Sequence, residues 1–172
     1  QLWVNLPAKD KTAKPGYQTL LAKDIPTVAL PKGAGSLRVI AGAYEGQKGP
    51  ARTFTPIDIW DVRLVRDGVA SLEAPEGHTV AVVVLAGTVE VNGSAIVRAA
   101  EMAVLARDSG AFTLEANGEA KVLVLSGAPI DEPVAAYGPF VMNTEAEIHQ
   151  AIRDFQAGRF GSLAESAEAS AS

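Results

Sequence analysis

The side chains able to do acid–base or metal chemistry are few and scattered. The chain has two histidines, His78 and His149, and no cysteine. A thiol nucleophile, a thiolate metal site and a disulfide framework are therefore excluded. His78 follows Gly77 in a turn. Imidazole metal sites gather several donors, so a lone His78 is expected to be a polar turn residue. His149 follows Ile148, off the apolar stripe of a helix, and is expected to be solvated. Glu73 and Glu76 could pair for acid–base work, but their place at the end of a strand run fits solvated rim residues. Asp58 and Asp61 flank Trp60 on a strand. Alternation puts Trp60 on the face of Asp58 and not of Asp61, so no paired-acid site follows. Nucleophile elbows, phosphate loops and nucleotide-fold fingerprints are absent. No catalytic, cofactor-binding or metal-ligating residue is assigned on these grounds.

The elements that would position such residues are mostly short strands. At 172 residues, 48% of them apolar, the chain has room for one domain with a sizeable core. The longest apolar run, "VAVVVLA" (Val80 to Ala86), is far short of the roughly 20 residues of a membrane helix. No secretory pattern is present, and a soluble, cytoplasmic protein is expected. Residues 1–52 carry eight Lys or Arg against three acids, and residues 53–172 carry seven against seventeen. The lysines of the first part lie among Pro and Gly, as in a solvated connection. A concentrated basic face is missing, so direct nucleic-acid binding is not expected.

"QLWVNL" (1–6) alternates as a strand that begins at the first residue. Residues 7–36, punctuated by Pro7, Pro15, Pro26 and Pro31, read as a connecting segment. From Leu37 the texture becomes Val, Ile and Leu-rich runs separated by turn residues: "LRVIAG", "IDIWDVRLV", "VASLEA", "TVAVVVLAG", "TVEVNG", "SAIVRA", "EMAVLA", "AFTLEA" and "KVLVLSG". Asn92-Gly93 and Asn117-Gly118 are hairpin signals, since both turn residues tolerate positive φ. Evenly spaced short strands predict a closed or nearly closed antiparallel barrel or a jelly roll over residues 37–127. A following loop, "APIDEPVAAYGPFVMN", completes a unit spanning 37–142. One helix is predicted over 143–157. Thr144 and Glu147 form its capping box, Ile148, Ala151, Ile152 and Phe155 its apolar stripe, and Gly158 its stop. Residues 158–172, small and polar, are expected to be a flexible tail.

The glycine-bounded double runs "EGHTVAVVVLAGTVEVNG" and "AAEMAVLARDSGAFTLEANG" resemble the two halves of a cupin core. Metal-binding cupins place H-x-H, a later Glu and a Gly in the first half, and P-x-G-x-x-H in the second. Set on Gly87, the pattern puts Val80 at the Glu position. Glu73 and Pro75, or Ala74 and Glu76 with the shorter spacing, fall at the histidines. "DSGAFT" keeps Gly110 but has Asp108 for Pro and Thr113 for His. The resemblance implies a cupin-type antiparallel barrel, all-β, with one C-terminal helix and without its metal-ligand set.

Two further stretches, "QLWVNLPAKDK" and "YGPFVMNTEAEIHQAIRDFQAGRFG", resemble signature segments of the pirin family. The resemblance covers nearly the whole chain except the Ser/Ala tail. Where pirins commonly carry Met and a basic residue, this chain reads "KDKTAKPGYQ"; the P-x-Y-Q frame survives at Pro15, Tyr17 and Gln18. Pirins are bicupins whose metal belongs to the N-terminal barrel. The resemblance therefore implies a C-terminal, metal-free half, with iron expected in an upstream N-terminal cupin that is its partner. Residues 1–6 would be a strand from or joining that cupin. For an intact pirin it implies either iron-dependent quercetin 2,3-dioxygenase activity or redox-responsive regulation through protein partners.

Overall fold

The computed structural model describes residues 2–107 and 110–160. Every one of the nine runs above becomes a strand. The chain order is β1 (Thr27–Ala29), β2 (Gly35–Ala41), β3 (Ala43–Tyr44), β4 (Gln47–Lys48), β5 (Ile57–Leu64), β6 (Val69–Glu73), β7 (Thr79–Ala86), β8 (Thr88–Val91), β9 (Ala95–Arg98), β10 (Met102–Val104), β11 (Ala111–Ala116), β12 (Ala120–Gly127), β13 (Ala135–Tyr137) and β14 (Phe140–Met142), followed by α1 (Glu145–Gln156). A six-stranded sheet runs β1-β2-β5-β12-β7-β10 and a four-stranded sheet β6-β11-β8-β9. All their pairings are antiparallel.

The jelly-roll form of the expected fold is what the chain adopts, all-β with one C-terminal helix; a closed barrel it is not. Among the described residues no ladder joins the two sheets, so closure comes from packing. Leu37, Val39, Trp60, Val62, Val82, Val84, Val122 and Val124 of the larger sheet share one core with Leu72, Val89, Val91, Phe112 and Leu114 of the smaller. Period-2 alternation places this set inward: Val80, Val82 and Val84 are buried on β7 while their neighbours are not,.

One hairpin signal is fulfilled and the other is not. Asn92 and Gly93 take φ of 53° and 62° between β8 and β9, the left-handed pair that a tight hairpin favours. Asn117-Gly118 instead links β11 to β12, which lie in different sheets. The connecting segment is also more structured than its prolines suggest. It supplies β1, and Leu30 and Ala34 are buried in the core.

The chain divides into two compact units, residues 20–129 and the remainder. In the second, the first nineteen residues lie with those from Ile130 on. Here "APIDEPVAAYGPFVMN" is not a plain loop but contains the hairpin β13–β14. The expected first strand does not pair: residues 2–6 belong to no ladder. The segment is held a little later, where the Ala8 N–H donates to Glu132 Oε2 (2.7 Å) and Lys11 Nζ donates to Asn5 Oδ1 (2.8 Å) and Val141 O (3.3 Å). The helix has the predicted capping box, with Thr144 Oγ1 accepting from the Glu147 N–H. Its stripe is only half used: Ile148 and Ala151 are buried, whereas Phe155 is 64% exposed. The tail from Gly161 on lies outside the described residues. Among those described, no helix is long and apolar enough to cross a membrane.

Candidate functional site

The inward face of the six-stranded sheet is apolar except at one end, where β5 and β7 begin and β12 ends. Ser126 is the buried polar side chain there, 2% exposed. Register sets it opposite Asp58 on β5 and Val80 on β7. Its Oγ lies 2.9 Å from His78 Nδ1. His78 is therefore more than a polar turn residue: Gly77 and the His78 N–H to Pro75 O bond (3.1 Å) close the turn, and the ring is half-buried against Ser126.

Trp60 lies two residues along β5 from Asp58, on the same face. It is 2% exposed, and its Nε1–H is buried without a hydrogen-bond partner. A buried donor left unpaired costs about 1–3 kcal/mol. Tyr44 meets the indole edge-on, with ring centroids 5.4 Å apart at 62°. Burial, and then the Glu45 charge, push the Tyr44 hydroxyl above its ordinary value. Local sequence explains how Tyr44 arrives there. Register shifts between Val39 and Ala41, and a bulge of this kind bends a strand. Glu45 and Gly46, both at positive φ, then turn β3 into β4. Gly42, at φ +74°, lies so close to the Asp58 carboxylate that a Cβ would collide with it. The neighbouring Ala43 N–H donates to Asp58 Oδ1 at 3.2 Å.

The other sequence candidates disperse. Asp61 faces the opposite side and pairs with Arg38 and Arg63, each at 3.3 Å. Glu73, Pro75 and Glu76 are exposed, Ala74 and Val80 buried, and His149 exposed on α1. Thr113 sits on the outer face of β11, between buried Phe112 and Leu114. The buried side chains on that strand are Phe112, Leu114 and Ala116. Asp108 lies outside the described residues. Among those described, no three His, Cys, Asp or Glu gather for an ion. Val80, Phe112 and Leu114 offer no donor, so the described residues of this jelly roll do not fit the three imidazoles and one carboxylate of a metal-binding cupin,. Sequence reasoning missed the His78–Ser126 pair and the unpaired indole; only the Asp58–Trp60 alternation pointed to this end.

The two-sheet jelly roll with one C-terminal helix is a cupin-type fold. Residues 59–161 match the Pirin C-terminal cupin domain, and the chain belongs to the pirin family. It is 56% identical over 160 residues to a Pseudomonas aeruginosa protein named "Putative quercetin 2,3-dioxygenase", covering 93% of this chain and 56% of that one. A pirin-like protein of Solanum lycopersicum is 35% identical over 164 residues, covering 94% and 56%. The crystal structure of quercetin 2,3-dioxygenase from Acinetobacter baumannii superposes with a TM-score of 0.88 at 49% identity, covering 94% of this chain and 56% of that one. The chain thus spans a little over half the length of these relatives.

Proposed function

We propose that this chain is the metal-free C-terminal cupin of a pirin-type bicupin and supports an upstream, iron-bearing cupin in the cytoplasm. The observation that carries the proposal is the apolar surface of the smaller unit. Among its described residues only Pro7, Ile148 and Ala151 are buried, while Leu2, Trp3, Val4, Tyr137, Phe155 and Phe160 are exposed. Phe140, Phe155 and Phe160 form a ring cluster with centroids 6.1–6.2 Å apart. Exposed apolar groups in this number on so small a unit favour an interface. The length of the relatives beyond the matched part supplies a natural cover. The name of the Pseudomonas aeruginosa relative supports quercetin 2,3-dioxygenation as the activity of the assembled protein, with the redox-active ion and its open coordination positions in the upstream cupin,.

The test supplies the unmatched portion of the Pseudomonas aeruginosa relative in trans. The two polypeptides are expected to co-purify with iron, and quercetin-dependent oxygen uptake should require that portion. Equimolar transition metal bound by this chain alone, or oxygen uptake with quercetin by this chain alone, overturns the proposal.

A further inference from the structure

We propose that β10 is an edge at which two copies of this chain pair, antiparallel about a two-fold axis at Ala103, so that their six-stranded sheets join into one. The edge lies wholly within residues 20–129, and the proposal does not rest on the upstream cupin.

Register fixes which backbone groups are available. β10 is the last strand of its sheet, and among the described residues no strand pairs on its far side. Ala103 stands opposite Val82, the Leu105 N–H donates to Val80 O (2.9 Å) and the Val84 N–H to Glu101 O (3.0 Å). In an antiparallel ladder, residues that bond to the neighbouring strand alternate with residues that do not. Residues 101, 103 and 105 therefore bond to β7, and the N–H and C=O groups of Met102 and Val104 point to the open edge. A two-fold axis at Ala103 sets Met102 of one copy opposite Val104 of the other, and all of these groups then bond across it. The side chains agree. Met102 is 59% and Val104 61% exposed, and Leu85, 56% exposed, lies on the same face of β7, two residues from the Val83 that Met102 pairs with. The other sheet edges carry features that block pairing: β1 sits between Pro26 and Pro31, β6 ends in Glu73 and β9 in Arg98. β10 holds neither charge nor proline. Charge selects a second copy over another strand. Glu101 and Arg107, both exposed, flank β10 at opposite ends. Antiparallel self-pairing brings each Glu101 diagonally beside the Arg107 of the other copy, within reach of long side chains. Parallel pairing would set Glu101 against Glu101.

The test is run on the full chain in a Trp3→Ala background, which weakens association through residues 1–6. As the ¹⁵N-labelled protein is concentrated, hydrogen exchange at the Met102 and Val104 amides is expected to slow about tenfold or more, and sedimentation equilibrium to report a dimer. Val104→Pro removes a donor that β7 does not use and takes away half of the bonds across the axis. Val104→Lys places a charge on the edge. Each should weaken the dimer about tenfold or more. Arg107→Glu sets like charges beside each other and should weaken it about threefold, an effect that high salt removes. Calorimetry shows whether each variant is folded, and Val104→Lys, at an exposed position, carries the test by itself. Exchange at the two amides that does not depend on concentration, or a dimer that keeps its full strength in Val104→Lys, overturns the proposal. So does protection of these amides by the unmatched portion of the Pseudomonas aeruginosa relative at dilutions where the chain is a monomer, since the edge then belongs to that portion.

Discussion

At the residue scale, the polar end of the jelly roll is held by a small number of contacts whose removal has different consequences. Ser126 is buried beside His78, and the Ser126→Ala change leaves Nδ1 without its partner. Because the ring is only half-buried, water can replace the hydroxyl in part. The expected loss is about 0.5–1.5 kcal/mol, read from the denaturant midpoint at unchanged slope. Gly42 is more demanding. Its φ of +74° is one that side-chain-bearing residues rarely take, and a Cβ would overlap the Asp58 carboxylate. Gly42→Ala should therefore cost about 1–3 kcal/mol. In an Asp58→Ala background the collision with the carboxylate is gone, and the same substitution should cost less. Equal costs in the two backgrounds would locate the penalty in the backbone alone.

At the element scale, α1 depends on its capping box. The Thr144 hydroxyl's hydrogen bond holds the Glu147 carboxyl below its usual range against the opposing effect of burial, with the Asn143 and Thr144 N–H groups and the Lys11 charge adding to it. A carboxyl whose folded value is depressed contributes stability that is fully present above its unfolded value and is lost as pH falls through the folded one. The amide resonances of Asn143 and Thr144 should therefore titrate together, with a midpoint below the ordinary glutamate range. Glu147→Gln should abolish that titration while leaving the helix in place, since Gln also completes a capping box. A midpoint at the ordinary value would show that the box contributes nothing in solution. This helix was legible because its start, stripe and stop are all local in sequence. So were the nine strand runs, whose alternation reports which face is buried. Four elements were not, the short hairpin β3–β4 turning at Glu45-Gly46 being one. The strand β1 is short and sits among prolines that speak for loop. β13–β14 is hidden by Pro133 and Pro139. Residues 2–6 alternate like a strand, but alternation does not show whether a partner strand exists. The site was harder still. His78 and Ser126 are 48 positions apart, and only the order β5-β12-β7 brings their strands side by side. Asp58 and Trp60 lie on one strand, and their shared face could be read directly.

At the scale of the whole molecule, the two units are unequally self-sufficient. Residues 20–129 enclose a continuous core with side chains from both sheets. The smaller unit buries little of its own apolar surface, and stability at this scale comes from such burial. Trp3 shows the consequence most directly. It is 72% exposed, between Leu2 at 52% and Val4 at 50%, in a stretch without a ladder partner. Extended backbone with large apolar groups and free donors invites pairing with another chain. The chain should therefore associate, with the unmatched portion of its Pseudomonas aeruginosa relative or, failing that, with a second copy. Burying one large side chain is worth about 1.5–3 kcal/mol, so Trp3→Ala should weaken association about tenfold or more. The jelly-roll core does not contain Trp3, so its thermal unfolding should not shift. Sedimentation velocity over a concentration series, run on the chain and on Trp3→Ala with and without the relative's portion, measures the first effect; calorimetry measures the second. If the chain sediments as a monomer under every condition, with the Trp3 indole protected from quenchers, the stretch covers itself and the interface assigned to it does not exist.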